Sequence, residues 1–288
     1  MKNMIEVKSL EKRYGDNDVL KGISFDVRQG EIFALLGTNG AGKTTTLECI
    51  EGIRKYQSGD ILVNGSVGVQ LQSTSLPEHI KAFEALKLFS KWRRSSIDMD
   101  FIRRLGFEEI KNKAYKDMST GQKRRLHLAL AMVGDPDIVI LDEPTAGLDV
   151  EGRAALHDEI RTLKQQGKTV MLASHDMAEV EALCDRIAIL KDGRIAFIGT
   201  ANELTEQLHD TFKVHIKLSS TVLFDALEWS TRLSSIQGYD VFETSNLEEG
   251  LAELLAAAKT QSVHVRDINI EHASLEQRFL DIAKEGKS

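Results

Sequence analysis

The stretch EIFALLGTNGAGKTTTLECIEG, residues 31–52, constrains this chain more than any other. Its opening is a continuous apolar run, the pattern of a short strand covered on both faces. The run releases directly into a glycine-rich loop and then a helix that ends at Gly52. The loop, Gly37 to Thr44, fits G-x-x-x-x-G-K-[ST], and strand before with helix behind is the context that motif needs. Glycines let backbone N–H groups turn inward around phosphate oxygens, and the helix start adds its positive dipole end. The cradle predicted from this stretch comprises Gly37, Thr38, Asn39, Gly40, Ala41, Gly42, Lys43, Thr44 and Thr45. Lys43 can reach β- and γ-phosphates, and the Thr44 hydroxyl can ligate magnesium.

The remainder up to about residue 210 alternates strands with helices. MIEVKSL and GISFDV are strand-like and make a β-rich start. A helical insert follows over about 77–135, in which Ile80, Phe83, Leu86 and Phe89 are predicted to share one helix face. DIVILDEP is a second buried strand. A helix is expected from Glu151 to Gln166, then the strand KTVMLASHD, the helix MAEVEALCD and a hairpin turned at KDG. The order predicts an α/β domain with a mainly parallel sheet. A smaller α+β unit is expected over 211–288, reading roughly β-α-β-α-β-α. Its helices are expected in VLFDALEWSTRL, NLEEGLAELLAAAK (opened by Asn246 and Glu249) and SLEQRFLDIAKE (opened by Ser274 and Gln277).

Asp142 and Glu143 end the DIVILDEP strand. Ligands of open α/β sheets gather at the carboxyl ends of strands. Asp142 there suits a magnesium ion, directly or through water, and Glu143 suits a base that polarises attacking water; otherwise both simply terminate the strand. His175 ends the next apolar strand, either as a hydrogen-bonded structural residue or as a γ-phosphate contact. Tyr14 either packs on the sheet or stacks on an adenine. Ser119 and Gln122 have capping-box spacing at the head of a helix with Leu126 and Leu130 on one face.

The bulk numbers narrow the partners. Lys+Arg of 37 against Asp+Glu of 44 leave a net charge of −7, with no basic footprint for duplex nucleic acid. The two cysteines, Cys49 and Cys184, form no metal-type or redox motif and read as buried thiols. The N-terminus has no signal-peptide core, and the apolar runs fall far below the roughly 20 residues a spanning helix needs, so a membrane role is expected only through a partner.

Taken together, these residues resemble the nucleotide-binding subunit of ATP-binding-cassette (ABC) transporters over residues 4 to 205. Tyr14 matches the adenine-stacking aromatic, GTNGAGKT the Walker A loop and IVILDEP the Walker B strand. MSTGQ matches the signature usually written LSGGQ, Asp149 the D-loop and His175 the switch histidine. Gln72 is taken as the Q-loop residue, contacting metal and reacting water, with Gln70 as the alternative. Thr120 stands where the signature has a glycine. The ending HASLEQRFLDIAKE resembles the tails of exporter-type subunits of the daunorubicin-resistance group.

The resemblance implies a P-loop NTPase cassette: a mainly parallel core sheet, an N-terminal antiparallel β region and a helical subdomain, followed by a small C-terminal α+β domain. It implies ATP and magnesium as ligands and a second cassette, identical or related, pairing head to tail. Ser119, Gly121, Gln122 and Asp149 would then meet the nucleotide held by the other copy. A separate membrane-spanning permease is the further partner, which places the chain in the cytoplasm, peripheral on the inner face of the membrane, powering export. The alternatives are an importer's ATPase or a soluble ABC-type ATPase acting on ribosomes or DNA. The single cassette and the short helical insert weigh against the soluble classes.

Overall fold

Five residues of β3, Ile32–Leu36, are all buried because this strand runs through the middle of a six-stranded sheet. In this computed structural model residues 2–70, 76–206, 212–220, 222–224, 227–236 and 238–272 are described. Their elements in chain order begin with β1 (Asn3–Tyr14), β2 (Asn17–Arg28), β3, α1 (Lys43–Ile50), β4 (Ser58–Val63) and β5 (Val67–Gln70). Next come α2 (Ala82–Arg93), α3 (Met99–Arg104), α4 (Thr120–Ala131), β6 (Ile138–Asp142), α5 (Val150–Gln165) and β7 (Thr169–Ser174). After these are α6 (Met177–Leu183), β8 (Arg186–Lys191), β9 (Arg194–Gly199) and α7 (Ala201–Glu206). The last are β10 (Phe212–Leu218), β11 (Ser230–Ile236), β12 (Tyr239–Thr244), α8 (Leu247–Thr260) and β13 (Val265–His272). The chain divides into two compact units, residues 1–200 and 201–288.

In the first unit the large sheet has the order β5-β6-β7-β3-β8-β9. All neighbours are parallel except the hairpin β8–β9, where Asp192 and Gly193 both take positive φ. A second, antiparallel sheet β2-β1-β4 packs its apolar side into the same core, where Phe25 stacks on Phe33 with ring centroids 5.5 Å apart. The parallel register is what builds a site. Leu36 pairs with Ser174, and Asp142 pairs with Ala173. The strands preceding Gly37, Glu143 and His175 therefore finish level at one sheet edge.

The helical insert departs from its predicted packing. Leu86 is buried as expected, but Ile80, Phe83 and Phe89 are only half-buried. Ala82 and Ala85 take the inward positions of α2, while Leu88 and Trp92 are 55% and 74% exposed. The small alanines let the helix lie close, which turns part of its aromatic stripe outward.

In the second unit β11-β12-β10-β13 form an antiparallel sheet with a core of Val214, Ile216, Phe242 and Leu254. Asn246 caps α8 by accepting from the Glu249 N–H at 3.3 Å. The helix predicted over VLFDALEWSTRL is overturned: Val222 to Phe224 are irregular, and Ser230–Ile236 is an edge strand. The reason lies in α8. Gln261 Oε1 accepts from the Leu223 N–H at 3.0 Å, and the Glu253 carboxylate accepts from the N–H groups of Glu228 and Trp229. Backbone donors that a helix would use are taken by side chains of another element, and the following residues find ladder partners on β12. The first helix of the predicted β-α-β-α-β-α order is thus absent among the described residues, although the strand order remains that of a split β-α-β arrangement. The helix predicted from Ser274 lies outside the described residues.

Candidate phosphate-binding site

The loop after β3 is shaped by two glycines with no room for a side chain. A Cβ on Gly37 would stand 2.6 Å from the Leu190 carbonyl oxygen, and one on Gly42 would stand 2.7 Å from Leu20 Cδ2. Gly42 also takes φ 111° as the N-cap of α1. The loop borders a cavity of about 550 Å³, lined by Asn17, Thr38, Gly40, Lys43, Thr45 and Glu143 among others.

The Lys43 ammonium donates to the Gly37 carbonyl at 2.7 Å and lies 3.4 Å from Glu143 Oε1. The other Glu143 oxygen is 2.7 Å from His175 Nδ1. Glu143 is buried and holds φ 48°, a left-handed conformation that costs a non-glycine residue of order 1 kcal/mol or more. Its N–H continues the sheet ladder to the Ala173 carbonyl at 2.9 Å, which pins the strained residue. One step back, Asp142 accepts from the Thr44 hydroxyl at 2.9 Å. Its other oxygen, Oδ1, is buried with no hydrogen-bond partner among the described residues. Burial raises the Asp142 carboxyl above its ordinary range; the Thr44 hydrogen bond opposes that and the Glu143 charge adds to it. An orphaned carboxylate oxygen beside a threonine hydroxyl is a hard-oxygen pair of the kind that suits magnesium.

The other predicted residues lie elsewhere. Tyr14 ends β1 at 40% exposure, with Lys12 Nζ 4.6 Å from its ring centroid, and does not line the cavity. Gln72 lies outside the described residues. Gln70, the alternative, ends β5 fully buried, with both amide atoms unpartnered among the described residues. Ser119 caps α4 in a full capping box: its Oγ accepts from the Gln122 N–H at 3.3 Å, and Gln122 Oε1 accepts from the Ser119 N–H at 3.1 Å. Ser119, Thr120, Gly121, Gln122 and Asp149 all line a second cavity, of about 600 Å³, whose lining shares no residue with the first. Asp149 caps α5 through the Gly152 N–H at 2.8 Å. Thr120 turns its methyl toward the α-carbon of Gly147, so near that a Cβ there would stand 3.3 Å away.

Two charged residues near these groups escaped the sequence reading. Glu51, the C-cap of α1, has both carboxylate oxygens buried without partners among the described residues, and burial, then the charges of Asp142 and Glu48, push its pKa up to about 7. A charge breaking the apolar end of ECIEG was the available signal. Arg124, in the basic run QKRRL, lines the second cavity and is held below the ordinary arginine range by burial.

Comparison with known proteins places this geometry. The family model described as ABC transporter matches residues 20–146. The linearmycin resistance ATP-binding protein LnrL of Bacillus subtilis is 28% identical over 307 aligned positions, covering 97% of this chain and 98% of that protein. The Nod factor export ATP-binding protein I of Burkholderia orbicola is 39% identical over 220, covering 70% and 72%. The spermidine/putrescine import ATP-binding protein PotA of Mycoplasma mycoides is 34% identical over 243, covering 78% and 69%. A solved ATP-binding subunit of an ABC transporter superposes with a TM-score of 0.64 at 28% identity, covering 71% of this chain and 92% of that one.

Proposed function

This chain belongs to the ATP-binding proteins of the ABC transporter family, has their cassette fold and hydrolyses ATP, and from that premise we propose that it drives export through a separate membrane-spanning permease. The observation that carries the residue roles is the chain of contacts Lys43–Glu143–His175 beside Thr44–Asp142. ATP phosphates entering the cradle replace Glu143 and the Gly37 carbonyl as partners of Lys43. That frees a Glu143 oxygen to accept a proton from water attacking the γ-phosphate. His175, held through Nδ1, keeps Nε2 available to the same phosphate, as a donor when the ring is protonated. Thr44 and Asp142 would hold magnesium, with Gln72 as the third proposed contact. Bound there, magnesium would supply neutralisation of phosphate charge. Tyr14 would give up its lysine for an adenine ring.

Ser119, Gly121, Gln122 and Asp149 share a cavity separate from the cradle. We assign them to the phosphates of a nucleotide held by a second cassette, identical or related, in a head-to-tail dimer. Val150, 84% exposed beside Asp149, is an apolar side chain suited to burial at such an interface.

Export is favoured by the alignment that runs through residues 211–288: it is with a resistance protein over almost the whole of both chains, whereas the importer match covers 78% of this one. No helix among the described residues is long and apolar enough to cross a membrane, so a permease supplies the path in this reading. The test is to co-purify the membrane partner from cells, reconstitute the complex in vesicles and follow ATP-driven movement of candidate cargo. Outward movement supports export, and uptake in the opposite sense assigns the chain to the importers.

A further inference from the structure

Three arginines line the cavity beside Ser119, namely Arg104, Arg124 and Arg125. Arg125 donates to the Leu105 carbonyl at 3.4 Å and lies 4.0 Å from Glu109. Arg124 differs. It sits one helical turn beyond Thr120 on α4, half-buried, and among the described residues it has no hydrogen-bond or ion-pair partner. A desolvated cation without a partner is costly, and proteins keep one where an anion arrives. Arg124 thus brings an unpaired cation to the lining of the cavity that also holds Ser119, Gly121 and Gln122.

We propose that Arg124 receives a phosphate group of the nucleotide carried by a second copy of the chain. This inference rests on the head-to-tail reading above.

The test uses the full-length protein with Arg124→Gln and Arg124→Lys, each alone and combined with Glu143→Gln. ATP affinity of the dilute chain is measured by titration with a fluorescent ATP analogue. Dimer formation against ATP concentration is followed by size-exclusion chromatography in the Glu143→Gln background, and kcat and KM are measured without it. Arg124→Gln is expected to leave the dilute-chain affinity within about twofold. It should raise the ATP concentration needed for the dimer and lower kcat by about tenfold each, the scale of one charge-assisted hydrogen bond. Arg124→Lys should restore both to within about threefold. If Glu143→Gln alone forms no ATP-dependent dimer, the head-to-tail reading fails and this inference with it. If that dimer forms and Arg124→Gln shifts neither quantity, or Arg124→Lys is as impaired as Arg124→Gln, the inference about Arg124 alone is overturned.

Discussion

Lys43 Nζ lies 3.4 Å from Glu143 Oε1, and both side chains are more than nine-tenths buried. The pair joins the head of α1 to the end of β6, 100 residues apart in the chain. A buried lysine needs a counter-charge, and a buried glutamate one residue past a strand needs a donor. ATP phosphates would supply the first and release the second. Replacing Glu143 by Gln keeps the shape, removes the charge that would compete with phosphate for Lys43 and abolishes the proposed base. Turnover should fall by at least about a hundredfold while ATP affinity is equal or tighter. An ATP-dependent dimer should accumulate on size-exclusion chromatography. Near-normal turnover in this variant would remove Glu143 from the base role.

In the proposed head-to-tail dimer each working site takes Lys43 from one copy and Ser119 from the other. Lys43→Ala and Ser119→Arg should each be inactive alone. Mixed, they should regain roughly one working site per mixed dimer, since one of its two sites then carries both native residues. Steady-state ATPase of the mixture, with both proteins folded and pairing, is the measurement. No recovery would falsify the cross-interface assignment.

Ser119 also has a purely structural role that can be separated from the proposed one. Its hydroxyl satisfies the Gln122 N–H, so Ser119→Ala should cost about 1 kcal/mol of stability in urea unfolding. Ser119→Asp keeps a cap acceptor and should restore most of that. It should nevertheless lose ATPase, because it places a carboxylate where the partner's phosphate is to dock. Recovery of both stability and ATPase by Asp would leave Ser119 as a cap alone.

Glu51 predicts a pH dependence whose sign can be worked out. Burial raises its native pKa from 4.5 to about 7, so between those values the native state binds more protons than the unfolded chain. The stabilising contribution is whole below pH 4.5 and is lost as pH rises through 7, by up to about 3 kcal/mol. Glu51→Gln removes that loss. Its stability relative to the wild type, from urea midpoints at pH 5, 7 and 8.5, should climb with pH. A difference that stays constant over this range would show that Glu51 is not held protonated by the fold.

Much of the fold was legible because its signals are local. β3 is announced by five consecutive apolar residues, the β8–β9 hairpin by KDG, and α8 by Asn246 three residues before Glu249. The second unit was legible only in part. VLFDALEWSTRL has the period of a helix, but Gln261 and Glu253 lie a few dozen residues away and bind the backbone donors of Leu223, Glu228 and Trp229. No window on the local sequence contains that competition. Glu51 and Arg124 were missed for a related reason: a charge in a helix reads as solvent-facing until packing shows otherwise.

Local sequence sets the shape of the glycine-rich loop at 37–44 and the Ser119–Gln122 cap, because backbone conformation and hydrogen bonds between near neighbours depend on residues within a few positions of one another. Long-range packing brings Asp142 to Thr44, stands Glu143 between Lys43 and His175, and opens Ser119 on a different cavity from Lys43. Those meetings depend on the order and register of parallel strands. That register is settled by which apolar faces pack together across the sheet, a sum over the whole core rather than a property of any motif.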